Sequence, residues 1–306
     1  MPIANVCVLL ATYNGESWIG EQLASISAQA RVEVFVVASD DASTDKTRDR
    51  LSSGPSGLSV LQLPDLPHRL GSANRNFLRL IRDAPVGDAN YVALSDQDDV
   101  WLPHKLERAV EELTRTGADA YSSNVTAFWS DGRERLLVKS HPQRRFDHLF
   151  ESAGPGCTFV FSRTAFTRLR EWVMARFEVL QHLKVHDWLI YAFARHEGWT
   201  WHIDPQSHMR YRQHARNEVG ANAGVGAAIA RWQQVRSGQY RDDVLAVAAA
   251  VDDRSIVATA LLRLNLADRV RLVSLAPQCR RNAFEALVLA VFFVLMPRQK
   301  PADRSA

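Results

Sequence analysis

Short apolar runs alternate with mixed polar and apolar segments over residues 1–100. The apolar runs are rich in valine, leucine and isoleucine, as is typical of strands that are buried on both faces. The intervening segments place apolar residues at helical spacing, as in Trp18, Ile19, Leu23 and Ile26. Strands separated by helices indicate an α/β fold with a mainly parallel, doubly wound sheet. The predicted strands are Asn5–Leu10, Val32–Ser39, Leu58–Leu63 and Tyr91–Leu94.

The pattern becomes less regular in the second third of the chain. A predicted helix from Pro103 to about Thr116 precedes a hairpin, further helices and a short last strand at Trp199–Ile203. The remainder has the pattern of helices. We therefore expect an α/β domain at residues 1–222, with halves 1–100 and 101–222, and a helical extension at 223–306.

Charge and cysteine content add two constraints. The net charge is only +3, but residues 254–306 hold nine Arg or Lys against three Asp or Glu. A basic tail can face nucleic acid or an anionic membrane surface, and charge alone favours neither. The three cysteines are far apart and lack metal-ligand spacing, which indicates reduced thiols in the cytoplasm.

The most apolar segment of the tail is Ala283–Met296. Its length of about 14 residues falls short of the roughly 20 that a spanning helix needs. The N-terminus lacks the basic region and cleavage site of a signal peptide, so we expect a cytoplasmic protein. Three uses of the tail remain open: contact with the membrane interface, packing on the α/β domain, or a dimer contact.

Three carboxylates follow the predicted strand Tyr91–Leu94 within the sequence Ser95-Asp96-Gln97-Asp98-Asp99. The carboxyl ends of parallel strands are where such sheets bind ligands. Carboxylates this close repel one another unless a cation lies between them. Oxygen ligands favour Mg²⁺ or Mn²⁺, which commonly also bind a substrate phosphate. The alternative is an acidic turn that caps the following helix.

A second acidic cluster, Asp40 and Asp41, follows the predicted strand Val32–Ser39. Both clusters are expected to open on the same edge of the sheet, because the strands that precede them are parallel. The sequence therefore predicts a ligand site at this edge. The alternative for the second cluster is that Asp41 and Ser43 only shape the turn and cap the next helix.

Five motifs in one order resemble the family 2 inverting glycosyltransferases, which have the GT-A fold. Within that family the chain is most similar to the rhamnosyltransferase-like branch that builds bacterial O-antigen and other surface polysaccharides. The resemblance covers residues 3–222 and makes 1–100 the nucleotide-binding half and 101–222 the acceptor half. The motifs are Leu10-Ala11-Thr12-Tyr13-Asn14-Gly15, Ser39-Asp40-Asp41-Ala42-Ser43-Thr44-Asp45, Ser95-Asp96-Gln97-Asp98-Asp99, His186-Asp187-Trp188 and Tyr211-Arg212-Gln213-His214.

The resemblance implies a sugar-nucleotide donor whose diphosphate is bridged by Mg²⁺ or Mn²⁺. Such a cation stabilises the negative charge that develops on the departing nucleotide. In this resemblance Asp98 is the direct metal ligand, Asp96 holds the ribose or a metal-bound water, and Asp99 supports the cluster. Which of the adjacent Asp98 and Asp99 coordinates the metal stays open.

The resemblance assigns the nucleobase to the loops after the first two strands. A carboxylate of Asp40 or Asp41, with Asp41 preferred, accepts a hydrogen bond from the pyrimidine N3–H. Thr12, Tyr13 and Asn14 pack along the base. A tyrosine such as Tyr13 is, taken alone, more often a packing residue.

The same resemblance makes Asp187 the catalytic base, which takes the proton of the acceptor hydroxyl. A helix N-terminus keeps a carboxylate ionised, although ordinary capping would place an aspartate there as well. His214 is implied as a further metal or diphosphate ligand, and Arg212 as a partner of the diphosphate. Structural roles explain these last two residues equally well.

The implied enzyme transfers L-rhamnose from dTDP-L-rhamnose to a growing, lipid-linked glycan at the inner face of the cytoplasmic membrane, with no nucleic-acid partner. A UDP-hexose or UDP-galactofuranose transferase of the same fold is the alternative. A non-catalytic sugar-nucleotide-binding protein would be expected to lack the base or the metal cluster. A dinucleotide-dependent oxidoreductase would need a glycine-rich turn that Ala11–Gly15 does not supply.

Overall fold

In the computed structural model, which describes residues 4–214 and 233–297, the first third of the chain forms four parallel strands. They lie in the order β3-β2-β1-β4, with helices in the connections, so the predicted α/β architecture is confirmed. The strands are β1 (Ala4–Thr12), β2 (Val32–Asp40), β3 (Ser59–Gln62) and β4 (Tyr91–Ser95), and the helices are α1 (Ile19–Ser27), α2 (Thr47–Ser52) and α3 (Ala73–Asp83).

The second part of the chain extends the same sheet with mostly antiparallel pairs. The strand order continues from β4 through β8, β6 and β9 to β5, while β7 pairs with β6, so the whole sheet is mixed. The added strands are β5 (Val100–Trp101), β6 (Ala120–Trp129), β7 (Glu134–Leu137), β8 (Val160–Ser162) and β9 (Trp201–Gln213), and the helices are α4 (Lys105–Thr116), α5 (Arg163–Leu180) and α6 (His186–His196).

Strand β9 is much longer than the predicted strand Trp199–Ile203. It continues to Gln213 because it pairs in parallel with β6 and because its charged side chains find partners, as Arg210 does in Glu134 at 2.7 Å. Its pairing register with β6 shifts after Asp204, next to Pro205, which cannot donate a ladder hydrogen bond. This extension carries the motif that begins at Tyr211 to the acidic end of β4.

The described residues group into two compact units. The first comprises residues 4–140 and 153–214, and its core is the sheet, in which Val6 to Leu10 of β1 are fully buried. The second comprises 141–152 and 233–297, held partly by Arg281, whose guanidinium lies 3.0 Å from Glu151. The predicted boundary between residues 222 and 223 lies outside the described residues. The second unit contains α7 (Gln239–Ala250), α8 (Ile256–Arg263), α9 (Leu266–Cys279) and α10 (Ala283–Leu295).

None of the helices in the described ranges combines the length and the hydropathy needed to cross a membrane.

Candidate active site

The loops that follow β1, β2 and β4 leave the same edge of the sheet. Thr12 at the end of β1 lies opposite Asp40 at the end of β2, and Leu10 lies opposite Ser95 at the end of β4. The parallel pairing of three buried strands thus places both acidic clusters beside the Tyr13 loop. This is the juxtaposition that the strand pattern predicted.

The loops after β1 and β2 are tied together by side-chain hydrogen bonds. Asn14 has a positive φ of 45°, donates its backbone N–H to Oγ of Ser43 at 2.8 Å, and accepts from the Thr44 N–H at 2.9 Å. Asp40 accepts from the hydroxyls of Thr12 at 2.8 Å and Ser43 at 2.6 Å. Asp40 and Thr12 therefore fix the place where the two loops meet, to which the backbone of the Asn14 turn also belongs. We name this place the corner.

Asp41 borders the corner together with Arg69 and Tyr13. Its carboxylate accepts from the backbone N–H groups of Leu70 and of Gly71, the latter at 2.9 Å. The guanidinium of Arg69 lies 3.5 Å from Asp41 and 3.6 Å from the centroid of the Tyr13 ring. Sequence reasoning missed Arg69, because nothing in its local pattern marks a loop residue that stacks on a distant tyrosine.

Gln97 joins the Tyr13 loop to the acidic segment after β4. Its Oε1 accepts from the backbone N–H of Tyr13 at 2.8 Å, and its Nε2 donates to the carbonyl of Tyr13 at 2.9 Å. A Cβ on Gly15 would lie 2.2 Å from Oε1 of Gln97, so this close approach requires glycine. The amide side chain between the carboxylates thus fixes the position of the neighbouring loop, a role that the sequence did not reveal.

The end of β9 meets the acidic segment from the other side. Nε2 of His214 lies 2.7 Å from Oδ2 of Asp98, and the His214 ring stacks on Trp18 at 4.1 Å. Arg212 donates its Nε to the Asp98 carbonyl at 2.8 Å and its backbone N–H to Oδ1 of Asp99 at 3.1 Å. The structure therefore brings Asp98 together with Arg212 and His214, which follow it by 114 and 116 residues in sequence.

Asp99 lies behind Asp98, next to a thiol. The candidate ligand atoms of Asp96, Asp99 and Cys157 all lie within 4.8 Å of one another. Burial, and then the charges of Asp98 and Asp96, raise the pKa of Asp99 well above its usual range. Its Oδ2 is buried without a hydrogen-bond partner among the described residues. A carboxyl in this environment is ionised only when a nearby cation compensates its charge, so the cluster fits a site for a divalent cation.

Lys105 of α4 partly offsets this charge from the interior. Its side chain is buried, and its ammonium lies 3.6 Å from the centroid of the Trp101 ring. Burial lowers the pKa of Lys105 to about 8, while the nearby Cys157 and Asp99 oppose that shift. When all three aspartates are ionised, this one lysine is too little to neutralise the cluster.

Asp187 occupies the first turn of α6. Its Oδ1 accepts the backbone N–H of Trp188 at 2.6 Å. Burial raises the pKa of Asp187 to about 6, with Lys139 acting in the opposite direction. A carboxylate with this pKa can take up a proton near neutral pH, as a general base must.

The ring of His186, in the same turn of α6 as Asp187, packs against Phe77 and the Gly156 turn. It stacks on Phe77 with 4.1 Å between centroids, and its buried Nε2 has no hydrogen-bond partner among the described residues. Burial lowers the pKa of His186 to about 3, so the imidazole is neutral. A Cβ on Gly156 would lie 2.4 Å from this Nε2, and Gly156 precedes Cys157. The turn Gly156–Thr158 thus links the two parts of the site.

Helix α3 contacts both the strand ends and the loop before α6 through two asparagines. Asn76 donates to the carbonyls of Ser39 at 2.9 Å and Thr12 at 3.2 Å, at the ends of β2 and β1. Two residues earlier, Asn74 donates to the carbonyl of Leu183 at 2.8 Å, in the loop before α6. A single helix therefore fixes the strand ends and the entry to the Asp187 turn.

This arrangement agrees with a match between residues 7–183 and the model of the family "Glycosyl transferase family 2". The chain belongs to glycosyltransferase family 2. The matched range covers the strand ends, the acidic segment and the α3 support, and it stops just before Asp187.

Among curated relatives of this family 2 enzyme is the dTDP-rhamnosyl transferase RfbG of Shigella flexneri. It is 40% identical over 252 residues, which are 81% of this chain and 86% of the relative. The succinoglycan biosynthesis protein ExoO of Rhizobium meliloti is 30% identical over 150 residues, or 48% of this chain and 40% of that protein. The first similarity extends over most of both chains.

Two solved structures show the same fold. Staphylococcus aureus TarS, crystallised with UDP-GlcNAc, superposes with a TM-score of 0.59 at 15% identity, over 96% of this chain and 82% of TarS. The mannosyltransferase PcManGT of Pyrobaculum calidifontis, in complex with GDP-Man and Mn²⁺, gives 0.50 at 16% identity, over 95% and 85%. The GT-A fold of this glycosyltransferase is therefore confirmed.

Proposed function

We propose that this glycosyltransferase moves L-rhamnose from dTDP-L-rhamnose to a surface glycan, with inversion at the anomeric carbon. The observation that carries the donor assignment is the 40% identity to a dTDP-rhamnosyl transferase across 86% of that relative. The architecture agrees, since Gln97 joins the Tyr13 loop to the acidic cluster, and the turn Gly156–Thr158 links that cluster to the Asp187 turn.

In this proposal Asp98 and His214 hold a divalent cation, Mg²⁺ or Mn²⁺, with Asp96 beside them. Asp99 supports the cluster from behind, because it is 1% exposed whereas Asp98 is 9% exposed. The bound cation supplies positive charge to the donor diphosphate as the nucleotide departs. Arg212, whose guanidinium is held by the Asp98 carbonyl and paired with Glu21, lies on the same side and would contact the diphosphate.

The nucleobase in this proposal occupies the corner made by Tyr13, Asp41 and Arg69. Asp41 accepts the N3–H of thymine through a lone pair that its two backbone donors leave available. The Tyr13 ring offers an aromatic face at the position where Arg69 now stacks. Uracil has the same N3–H, so this contact selects pyrimidines of the uracil type without distinguishing dTDP from UDP.

Asp187 acts as the general base. The acceptor hydroxyl oxygen attacks the anomeric carbon from the face opposite the nucleotide, forming one C–O bond while the bond to the phosphate oxygen breaks. The proton passes to the Asp187 carboxylate, and dTDP leaves with the electron pair of the broken bond. Near neutral pH most of this carboxylate is ionised, since its pKa is about 6.

The acceptor in this proposal is a lipid-linked glycan, which places the enzyme at the inner face of the cytoplasmic membrane. Homologues that carry polysaccharide-synthesis names, such as ExoO, support a surface glycan as the product.

The test is nucleotide release by the purified protein with Mn²⁺ and a panel of dTDP- and UDP-sugars, with and without lipid-linked acceptor. We expect turnover with dTDP-L-rhamnose, its loss in EDTA or in Asp98→Ala, and normal turnover in the control Asp131→Ala, an exposed hairpin carboxylate. Turnover with a UDP-sugar alone would transfer the assignment to the alternative donor. No turnover with any donor, together with unimpaired donor binding by Asp98→Ala, would refute the proposal.

A further inference from the structure

Exposed apolar side chains are concentrated in the C-terminal helices. Among the described residues, fifteen large apolar side chains are exposed, and nine of these lie between residues 256 and 297. Ordinary soluble surfaces scatter such residues singly, whereas a contiguous group marks a contact surface. This concentration is a property of the second unit alone.

Helix α10 exposes its apolar residues along one face. At about 100° per residue, its exposed residues span an arc of roughly 100°, and its buried residues lie opposite. The only ionised side chain of the helix, Glu285, lies about 80° beyond the nearer end of this arc. The exposed residues are Phe284 (72%), Leu287 (64%), Val291 (47%), Val294 (56%) and Leu295 (49%), and the buried ones are Ala286, Leu289 and Phe293.

Helix α9 lies against α10 and presents a similar face. Leu266 is 76% exposed and Val270, one turn later, is 65% exposed. Arg269 of α9 donates to the carbonyls of Phe293 at 2.8 Å and Val294 at 2.7 Å, so the two helices are fastened at the end of α10. We name these exposed residues of α9 and α10 the apolar face.

The exposed charges of the second unit favour an anionic partner. Among its described residues, six arginines are exposed against two carboxylates, and one of these, Glu285, is paired with Arg280 at 3.2 Å. The exposed arginines are Arg144, Arg145, Arg236, Arg254, Arg263 and Arg271, and the carboxylates are Asp252 and Glu285. The apolar face therefore belongs to a unit whose exposed charges are mainly positive, which is the combination that binds the interface of an anionic bilayer.

We propose that the apolar face inserts into the interface of a membrane that contains anionic phospholipid, with α9 and α10 lying in the membrane plane. The inference rests on the proposed function in one respect, since a lipid-linked acceptor requires the enzyme to work at that surface. A dimer contact would bury the apolar face equally well, but it would bring together two units whose exposed charges are mainly positive.

The test is co-sedimentation of the full chain with vesicles that contain no donor and no acceptor. One set is made of phosphatidylcholine and phosphatidylglycerol in equal parts, the other of phosphatidylcholine alone. The variant Phe284→Ala/Leu287→Ala/Val291→Ala removes apolar surface from α10. The control Met174→Ala/Val179→Ala removes exposed apolar surface from α5, where the two side chains are 58% and 61% exposed.

We expect the wild type and the control to sediment with the anionic vesicles. The affinity of the triple variant for these vesicles should be lower by about tenfold or more. Thermal melting and donor hydrolysis should be the same for all three proteins, because the substituted side chains are exposed and outside the site. Absence of wild-type binding, or equal binding by the triple variant, would overturn the inference. Equal binding to neutral vesicles would overturn the anionic assignment.

Light scattering without vesicles tests the alternative that a second copy of the chain covers the apolar face. A wild-type dimer that the triple variant converts to a monomer would show that the apolar face is a subunit contact and would overturn the inference. Because no sugar nucleotide is present, none of these results depends on the identity of the donor. A wrong donor assignment would therefore leave vesicle binding intact.

Discussion

Replacing Gly156 by alanine tests whether the packing of His186 positions Asp187. The added Cβ would lie 2.4 Å from Nε2 of His186, while ordinary contacts begin at 3.4 Å, so the ring or the turn must move by 3.4 − 2.4 = 1.0 Å. The ring has little freedom to move because it stacks on Phe77, which is fully buried.

His186 and Asp187 are consecutive in the first turn of α6, so the shift passes to the carboxylate. A misplacement of about 1 Å at a reacting group lowers a rate by roughly 10²-fold. We therefore expect kcat for sugar transfer to fall by about that factor in Gly156→Ala, with little change in the Kd of the donor nucleotide. Transfer is measured as nucleotide release and donor affinity by calorimetry.

The matched control is Gly20→Ala, at an exposed position of α1 where a Cβ meets no atom within 4 Å. It should transfer normally and be slightly more stable, by about 0.5–1 kcal/mol, because alanine favours the helix. A double variant with His186→Ala removes the obstructing ring, so the added methyl should then cost much less. Wild-type kcat in Gly156→Ala, or an equal cost in the His186→Ala background, would refute the reasoning.

Three further substitutions test other parts of the structure. Asp187→Asn should keep donor binding and lower transfer about 10²–10⁴-fold. In the wild type, transfer should rise with pH through about 6 and then level off, because only the ionised base accepts a proton; a flat pH–rate profile from pH 5 to 8 would count against this base. Gln97→Leu removes two hydrogen bonds of about 1 kcal/mol each, so calorimetry should show donor affinity about tenfold or more weaker, and unchanged affinity would exclude the clamp. Arg281→Met breaks a buried ion pair with Glu151 and should destabilise the second unit by about 3–5 kcal/mol in urea unfolding, whereas exposed Arg263→Met should cost under about 1 kcal/mol; equal losses would contradict the pairing.

The parallel half of the sheet could be predicted because its signal is local. Buried strands such as β1 and β4 are short apolar runs, and the helices between them carry an apolar stripe. The long strand β9 could not be predicted, because its polar residues have the pattern of a loop. Their partners, such as Glu134 for Arg210 and the Asp98 carbonyl for Arg212, are brought near only by folding. Strand β5, only two residues long, exists because β9 lies beside it.

The site shows the same division. The clusters at Asp41 and at Asp96–Asp99 were predictable, because the ends of neighbouring parallel strands meet at one edge. Arg69 and Gln97 were not, since each acts on Tyr13 through a contact that only the folded chain creates. The place of Cys157 beside Asp99 likewise depends on an antiparallel pairing of β8 with β4 that no sequence pattern indicated.

Helix α3 has a consequence for building chimeras of family 2 glycosyltransferases. Asn76 serves the strand ends of the donor side and Asn74 the loop that leads into α6, although the two residues lie on one helix. A crossover between the halves at residue 100 would join an α3 from one parent to an α6 entry from the other. Exchanges of acceptor preference should instead carry α3 along with the acceptor half, with Thr12, Ser39 and their loops adapted to the incoming helix.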